Sequence, residues 1–293
     1  MSNHLASMNI KLSGDIAIGG EVNLRDVANA FTHLQSMIDR AFIDLITHGK
    51  IRKHSRLTSQ QYGEVFFSVQ DPKRESYLVN MISRTEIGMS VIDRVNAAIS
   101  PIYKRLESAV QSERHDIEND IKRIRTQIDN KIITVKEYNE EEIRTNKDFV
   151  RSFGDRSILK YMDQLVSPTR TKEKDNYVDL GLVTDRIYQY NFNKDKGQRF
   201  HSEITKKTLA APRIITGQLV KADWHNLQGN FVKYTNGRKC NLKFSNRDEV
   251  EELSKLMGAK GITIIASPII EFGSYDAESG DLQFISLINA ASA

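Results

Sequence analysis

"RIITGQLVKADWHNLQGNFVKYTNGRKCNLKF", residues 213–244, decides the fold of the C-terminal part of this chain. Positions 214–223 alternate apolar and polar, as a strand with one covered face does. Residues 230–234 and 238–244 flank Asn236-Gly237, a pair suited to a two-residue type I′ hairpin turn, in which both positions need positive φ. Further on, Asn246 stands as the N-cap of a helix with Val250, Leu253 and Met257 on one face and Gly258 as its stop. Residues 261–270 and 281–288 read as two more strands. Three strands, a helix and two strands are the order of a small OB-type barrel. The sequence therefore predicts an OB-like β-barrel domain over residues 213–293.

Upstream of the Ala211-Pro212 linker, residues 8–212 read as an α+β domain, an antiparallel sheet with long helices. Short strands at 8–12 and 16–18 lead to a helix capped by Asn23, with Leu24, Val27, Phe31, Leu34, Ile38, Phe42 and Leu45 on one face. Two strands joined by an Asp71-Pro72 turn follow. A second long helix, capped by Thr85, buries a stripe from Ile87 to Leu106, and Pro101 is expected to kink or restart it. Residues 177–183 and 186–191 give another strand pair, 194–198 a polar turn, and 200–209 a short helix or lid. Between 111 and 147 the chain is dense in both signs of charge, with Ile117, Ile121, Ile124 and Ile128 at coiled-coil spacing. This predicts a helical arm that projects into solvent and whose seam makes a homo-oligomer, holds a protein partner or is the face of an ordinary solvated hairpin.

A chain of 293 residues suffices for two domains. Lys and Arg number 42 against 38 Asp and Glu, and a net charge of +4 permits a polyanionic partner without demanding one. The single Cys240 excludes a disulfide within the chain and a Cys-rich zinc site. It fits a reducing cytoplasm. No apolar run is long enough to span a membrane, and residues 1–7 lack a signal-peptide core. Those residues read as a disordered leader, with Met8 an equally good start. A cytoplasmic location is expected.

Charge is polarised along the predicted barrel. From 213 to 247 basic residues face Asp223 alone, and from Asp248 onward acids dominate, which suits a protein partner. OB barrels hold single strands by stacking bases on aromatic rings while Lys and Arg follow the backbone. Arg213, Lys221, Trp224, Lys233, Tyr234, Arg238, Lys239 and Lys243 are accordingly the candidate contacts to single-stranded nucleic acid, with Trp224, in the first loop, best placed to stack. Strand parity sets a limit: Phe231 and Lys233 share a face, so a core Phe231 draws Lys233 inward. The competing reading is a solvated basic face over an aromatic core. A second cluster, Lys50, Arg52, Lys53, His54 and Arg56, reads as a phosphate contact or a surface loop.

Signals for catalysis are thin. The histidines form no HxH or HExxH pair, and neither a GxSxG elbow nor a Walker loop is present. Asp44 and His48 lie one helical turn apart, a spacing that lets a carboxylate orient an imidazole but is common on exposed helices. Asp71, Lys73 and Glu75 suggest a nuclease-like cluster, although a hairpin turn needs such residues anyway. No cofactor and no metal are expected. The functions that remain are a non-catalytic nucleic-acid-binding protein, an assembly subunit of a multiprotein complex, and a metal-dependent nuclease.

The strand pair "FFSVQDPKRESYLVNMI", centred on Glu75-Ser76-Tyr77, together with the terminal barrel sequence, resembles a family of uncharacterised bacterial and phage-borne proteins. The resemblance implies an α+β N-terminal domain followed by a small β-barrel, and a setting in phage defence or mobile elements. It assigns no activity.

Overall fold

The computed structural model describes residues 6–19, 21–70, 77–107, 116–144, 152–172, 174–259 and 261–290. It forms two compact units, Met1–Ser112 with Phe153–Thr205 and Glu113–Ser152 with Lys206–Ala293. Each unit is therefore built from two separate pieces of chain. The sequence boundary at 212/213 places the segment around Ile117–Ile128 with the first domain; the fold places it with the second.

In the first unit, β1 (Ala6–Gly14) leads through a small hairpin, β2 (Ala17–Ile18) and β3 (Glu21–Val22), into α1 (Leu24–Ile46). Asn23 caps α1 as its position predicts, its side chain accepting the Arg25 N–H at 2.8 Å. A short α2 (Ser59–Glu64), β4 (Ser68–Val69), β5 (Tyr77–Ser83) and α3 (Glu86–Glu107) follow. Helix α3 starts at Thr85, whose Oγ1 accepts the Gly88 N–H at 3.0 Å. Of the kink or restart expected at Pro101 the restart is not made, and α3 runs through it as one helix. Its stripe from Val91 to Leu106 is buried. Tertiary packing over this stripe outweighs the one backbone hydrogen bond that proline cannot make.

The second unit receives α4 (Ile117–Asp129), β6 (Lys136–Glu137) and α5 (Glu140–Arg144) before the chain returns to the first with α6 (Phe153–Val166). A 3₁₀ turn, Ser167–Arg170, leads to β7 (Asn176–Val183), β8 (Ile187–Phe192) and α7 (Lys194–Ile204). The predicted polar turn at 194–198 is the first turn of α7. Asn193 caps it by accepting the Lys196 N–H at 2.9 Å, and Phe200 is buried on its inner face, so this is a packed helix and no lid.

The sheet of the first unit has the order β4-β5-β1-β7-β8, antiparallel throughout, with β1 at its centre. Met8, Ile10 and Leu12 point to the covered face, level with Met81, Val79, Leu182 and Leu180 on the neighbouring strands. Helices α1, α3 and α6 pack on one another around a polar clamp. Arg94 of α3 donates from Nε to Asp44 of α1 at 2.7 Å and from Nη2 to Asp155 of α6 at 2.8 Å. Gly154 lets α6 approach this clamp, since a Cβ there would meet the Asp44 carboxylate at 2.4 Å. The Asp44–His48 pairing that the helical spacing would allow is not made. Asp44 turns to Arg94, while His48 lies beyond the helix end with φ 50°. Arg40 donates to the Arg52 and Ser55 carbonyls and so pins the basic loop 50–56 against α1. Asp71, Lys73 and Glu75 lie outside the described residues.

In the second unit β9 (Lys207–Leu209) precedes β10 (Arg213–Asp223), β11 (Gln228–Lys233), β12 (Lys239–Lys243), α8 (Arg247–Ser254), β13 (Ile262–Glu271) and β14 (Leu282–Ala290). The order β10-β11-β12-β14-β13, closed by pairing of β13 with β10, makes a five-stranded barrel in which only β12–β14 is parallel. With a helix between its third and fourth strands, this is the OB order that the sequence predicts. Asn246 caps α8 by accepting the Glu249 N–H at 3.0 Å, and Val250 and Leu253 enter the barrel core. The hairpin differs in one detail. Lys233 N–H bonds the Arg238 carbonyl, so residues 234–237 form the turn, and of the Asn-Gly pair only Gly237 has positive φ.

The predicted projecting arm is folded onto this barrel. Ile121 and Ile124 of α4, 4 % and 5 % exposed, pack against Ile265 and Ile285, with Ile117 and Ile128 partly buried beside them. Strand β6 continues the attachment by pairing in parallel with the start of β10. The isoleucine seam thus meets this chain's own strands, which leaves that face unavailable to a partner. A short seam hides more apolar surface on a preformed sheet than it would in a coiled coil of its own length.

Among the described residues no helix is long and apolar enough to cross a membrane. Two outcomes follow from the packing. Arg94→Leu strands a buried Asp44 carboxylate and should cost about 3–5 kcal/mol, read as a lowered urea midpoint for the first unit. Ile124→Ala should cost roughly 2–5 kcal/mol in the second unit if α4 is part of its core, and close to nothing if the helix is solvated.

Candidate nucleic-acid interface on the barrel

Alternation along β10, β11 and β12 sends Ile215, Leu219, Phe231, Cys240 and Leu242 into the core. The residues between them form the outer face. Strand register then builds rows across it. Lys221 lies beside Asn230 and Asn230 beside Asn241; Gln218 lies beside Val232 and Val232 beside Lys239; Asp223 lies beside Gln228 and Gln228 beside Lys243. Lysines and amides therefore share one surface. Lys243 Nζ donates to Gln228 Oε1 at 2.5 Å, and Asn241 Nδ2 donates to Asp281 at 3.1 Å. A bulge between Leu219 and Lys221 bends β10 and turns both Val220 and Lys221 outward.

The loop from β10 to β11 borders this face. Asp223 organises it, accepting the backbone N–H groups of His225 and Asn226 at 3.0 and 3.1 Å and the Asn226 side chain at 2.9 Å. The hydrogen bond from the Asn226 side chain leads the causes that hold this carboxyl below its ordinary range. Trp224 sits on that fixed turn with 43 % of its surface exposed. A ring held this way can stack without first losing much conformational freedom.

The candidate residues fall into separate places. Lys221, Lys239 and Lys243 stand on the outer face, and Trp224 adjoins it. Tyr234 and Arg238 belong to the β11–β12 turn, where Arg238 approaches Glu278 at 3.9 Å. Arg213 does not join them; it is buried at the start of β10 and donates to Glu142 at 3.0 Å. Lys233 is withdrawn altogether, with none of its surface exposed. Parity with Phe231 forces this. Phe231 and Phe244, the two phenylalanines of the basic stretch, are core residues. Gln218, Gln228, Asn230 and Asn241 are the members of the face that charge and aromaticity did not flag. Their signal was positional, in the alternation of each strand with its core side chains.

Lys233 does something else. Its Nζ donates to the Tyr138 hydroxyl at 3.1 Å and to the Ala277 carbonyl at 3.0 Å, and lies 4.2 Å from the Tyr138 ring centroid. Tyr138 in turn donates to Ala277 O at 2.5 Å. Burial lowers the Lys233 pKa and raises those of Tyr138 and Tyr275. Acids of the C-terminal half are likewise used structurally. Glu249 accepts from Arg125 at 2.6 Å and from the Ser245 N–H at 2.8 Å, and Asp276 accepts the Glu278 N–H at 3.0 Å. Among the described residues no group of three or more His, Cys, Asp and Glu is placed to hold a metal ion.

The depressed Lys233 pKa gives a signed expectation. Between its folded value and the ordinary 10.5, the unfolded chain binds a proton that the folded chain does not, so stability rises with pH across that window. Lys233→Met lacks this contribution, while both proteins keep Tyr138 and Tyr275. In urea unfolding from about pH 7 to about pH 10, wild type should therefore gain on the variant as pH rises. Parallel profiles would mean that the buried amine keeps its proton.

Comparison of the chain with protein-family models, curated proteins and solved structures finds no match.

Proposed function

We propose that the C-terminal barrel is a non-catalytic module for single-stranded nucleic acid, bound across the outer face of β10, β11 and β12. The observation that carries this reading is the grouping of Lys221, Lys239 and Lys243 with Gln218, Gln228, Asn230 and Asn241 on the face that OB barrels use. In this reading the lysines meet phosphates, the amides meet base edges and Trp224 stacks on a base. A single strand suits the site better than a duplex, because Trp224 needs an unstacked base and the face offers no helix to enter a groove. The assembly reading loses its main support, since Ile121 and Ile124 are spent inside the unit.

The test is titration of the full chain with labelled single-stranded oligonucleotides at several salt concentrations. Trp224→Ala should weaken binding by roughly 1–3 kcal/mol. Replacing Lys221, Lys239 and Lys243 by alanine should reduce the salt dependence by about 0.7 in log–log slope for each phosphate left without its lysine. Lack of binding at low salt, or binding indifferent to salt, sinks the proposal.

A further inference from the structure

A cavity of about 480 Å³ lies in the second unit, between α4, the segment 133–136 and residues 209–213. Its volume is in the range of small-molecule sites. Much of its wall is aliphatic, with Ile124, Ile133, Leu209 and Pro212 among the lining residues. The charged residues of the wall are Arg123, Lys136, Arg213 and Glu142, three cations and one carboxylate. None of them belongs to the outer face of the barrel.

Arg213 is what distinguishes this cavity from a patch of surface charge. Strand alternation sends it to the same side as Ile215 and Leu219, and its side chain is only 8 % exposed. A guanidinium carries five N–H donors in a fixed fork. Nη2 donates to Glu142 at 3.0 Å. Nε and Nη1 donate to no group of the described residues, and neither is sealed from solvent. A largely buried cation with open donors beside a cavity favours an oxyanion there, because a pair held out of water attracts more strongly than one in it. Lys136 and Arg123 stand at the rim, 70 % and 64 % exposed.

The charge balance selects the head of the ligand. Asp120 holds Arg123 at 2.7 Å from outside the wall. Glu142 holds Arg213, and Lys136 approaches the same carboxylate at 3.8 Å. Three cations and two carboxylates leave a surplus of one positive charge. One carboxylate neutralises it, whereas a phosphate monoester, at roughly −1.5 to −2, exceeds it. The aliphatic wall selects the body, since a sugar or polyol would lose its water there without gaining partners.

We propose that this cavity binds a medium-chain aliphatic carboxylate, its head paired with the open N–H donors of Arg213 and with Lys136, and its chain laid along Ile124, Ile133, Leu209 and Pro212. The site is independent of the outer face of the barrel and of nucleic-acid binding there.

The experiment is isothermal titration of the full chain with octanoate at near-physiological ionic strength. Octanol tests the chain without the charge, acetate the charge without the chain, and octyl phosphate the heavier charge. Saturable one-site binding of octanoate is expected, with each of the other three at least about tenfold weaker. Arg213→Gln should bind octanoate at least about tenfold more weakly and Lys136→Ala measurably more weakly, while Lys239→Ala, a loss of charge on the outer face, should bind like wild type. Amide chemical-shift changes on octanoate addition should cluster at residues 123–136 and 209–213. Lys136 is exposed, so its variant and the mapping on the wild-type chain decide the matter should Arg213→Gln fold poorly. Absence of saturable binding, octanol or octyl phosphate bound as tightly as octanoate, equal weakening in Lys239→Ala, or shifts centred on residues 218–243 would each overturn the proposal.

Discussion

The buried ammonium of Lys233, held between the Tyr138 ring and the Ala277 carbonyl, is the interaction on which the second unit depends. A lysine with no surface exposed needs donors satisfied and charge compensated. Tyr138 supplies an acceptor oxygen and a π face, and it comes from the segment that precedes the barrel by many residues. The barrel core is therefore incomplete without that segment. Once Tyr138 is committed, β6 is led to pair with β10, and α4 lays its isoleucines on β13 and β14. The segment 116–144 thus belongs to the second unit although the chain returns to the first after it.

The same inward parity that buries Lys233 decides what the barrel presents. Alternate residues of β10, β11 and β12 belong to the core, so the face is made from the others. Its lysines are not an excess of charge over the whole unit; they are local, interleaved with amides and bounded by a turn that Asp223 stiffens. The proposed contact with a polyanionic strand rests on this local grouping and not on net charge.

In the first unit the comparable constraint is the Arg94 clamp. Three helices meet at one guanidinium, which reads two carboxylates from different helices and leaves little freedom in how they cross. The sheet beneath is fixed by β1, whose Met8, Ile10 and Leu12 are matched on both sides by apolar residues at the same level. A shift of one residue would turn all of them to the uncovered face.

Local chemistry was enough to place much of this in the sequence. Asn23, Thr85 and Asn246 announce helix starts because a backbone N–H two or three residues away meets the capping side chain. The barrel order follows from alternation and a helix between the third and fourth strands. Trp224 could be assigned to an exposed loop for the same reason. Other outcomes depend on partners distant in the chain. Ile121 and Ile124 have coiled-coil spacing whether they meet a second helix or a sheet, and only the sheet's position settles it. Asp44 chooses Arg94 of another helix over His48 on its own. Lys233 reads as a surface cation until Phe231 is known to be core and Tyr138 is known to reach it. Sequence determined the barrel strands and their OB order, the long helices and the caps of α1, α3 and α8, because those rest on contacts within a few residues. Tertiary structure alone decided which charges are buried, where residues 116–144 belong and which polar side chains share a face, because desolvation and packing are set by groups far apart in the chain.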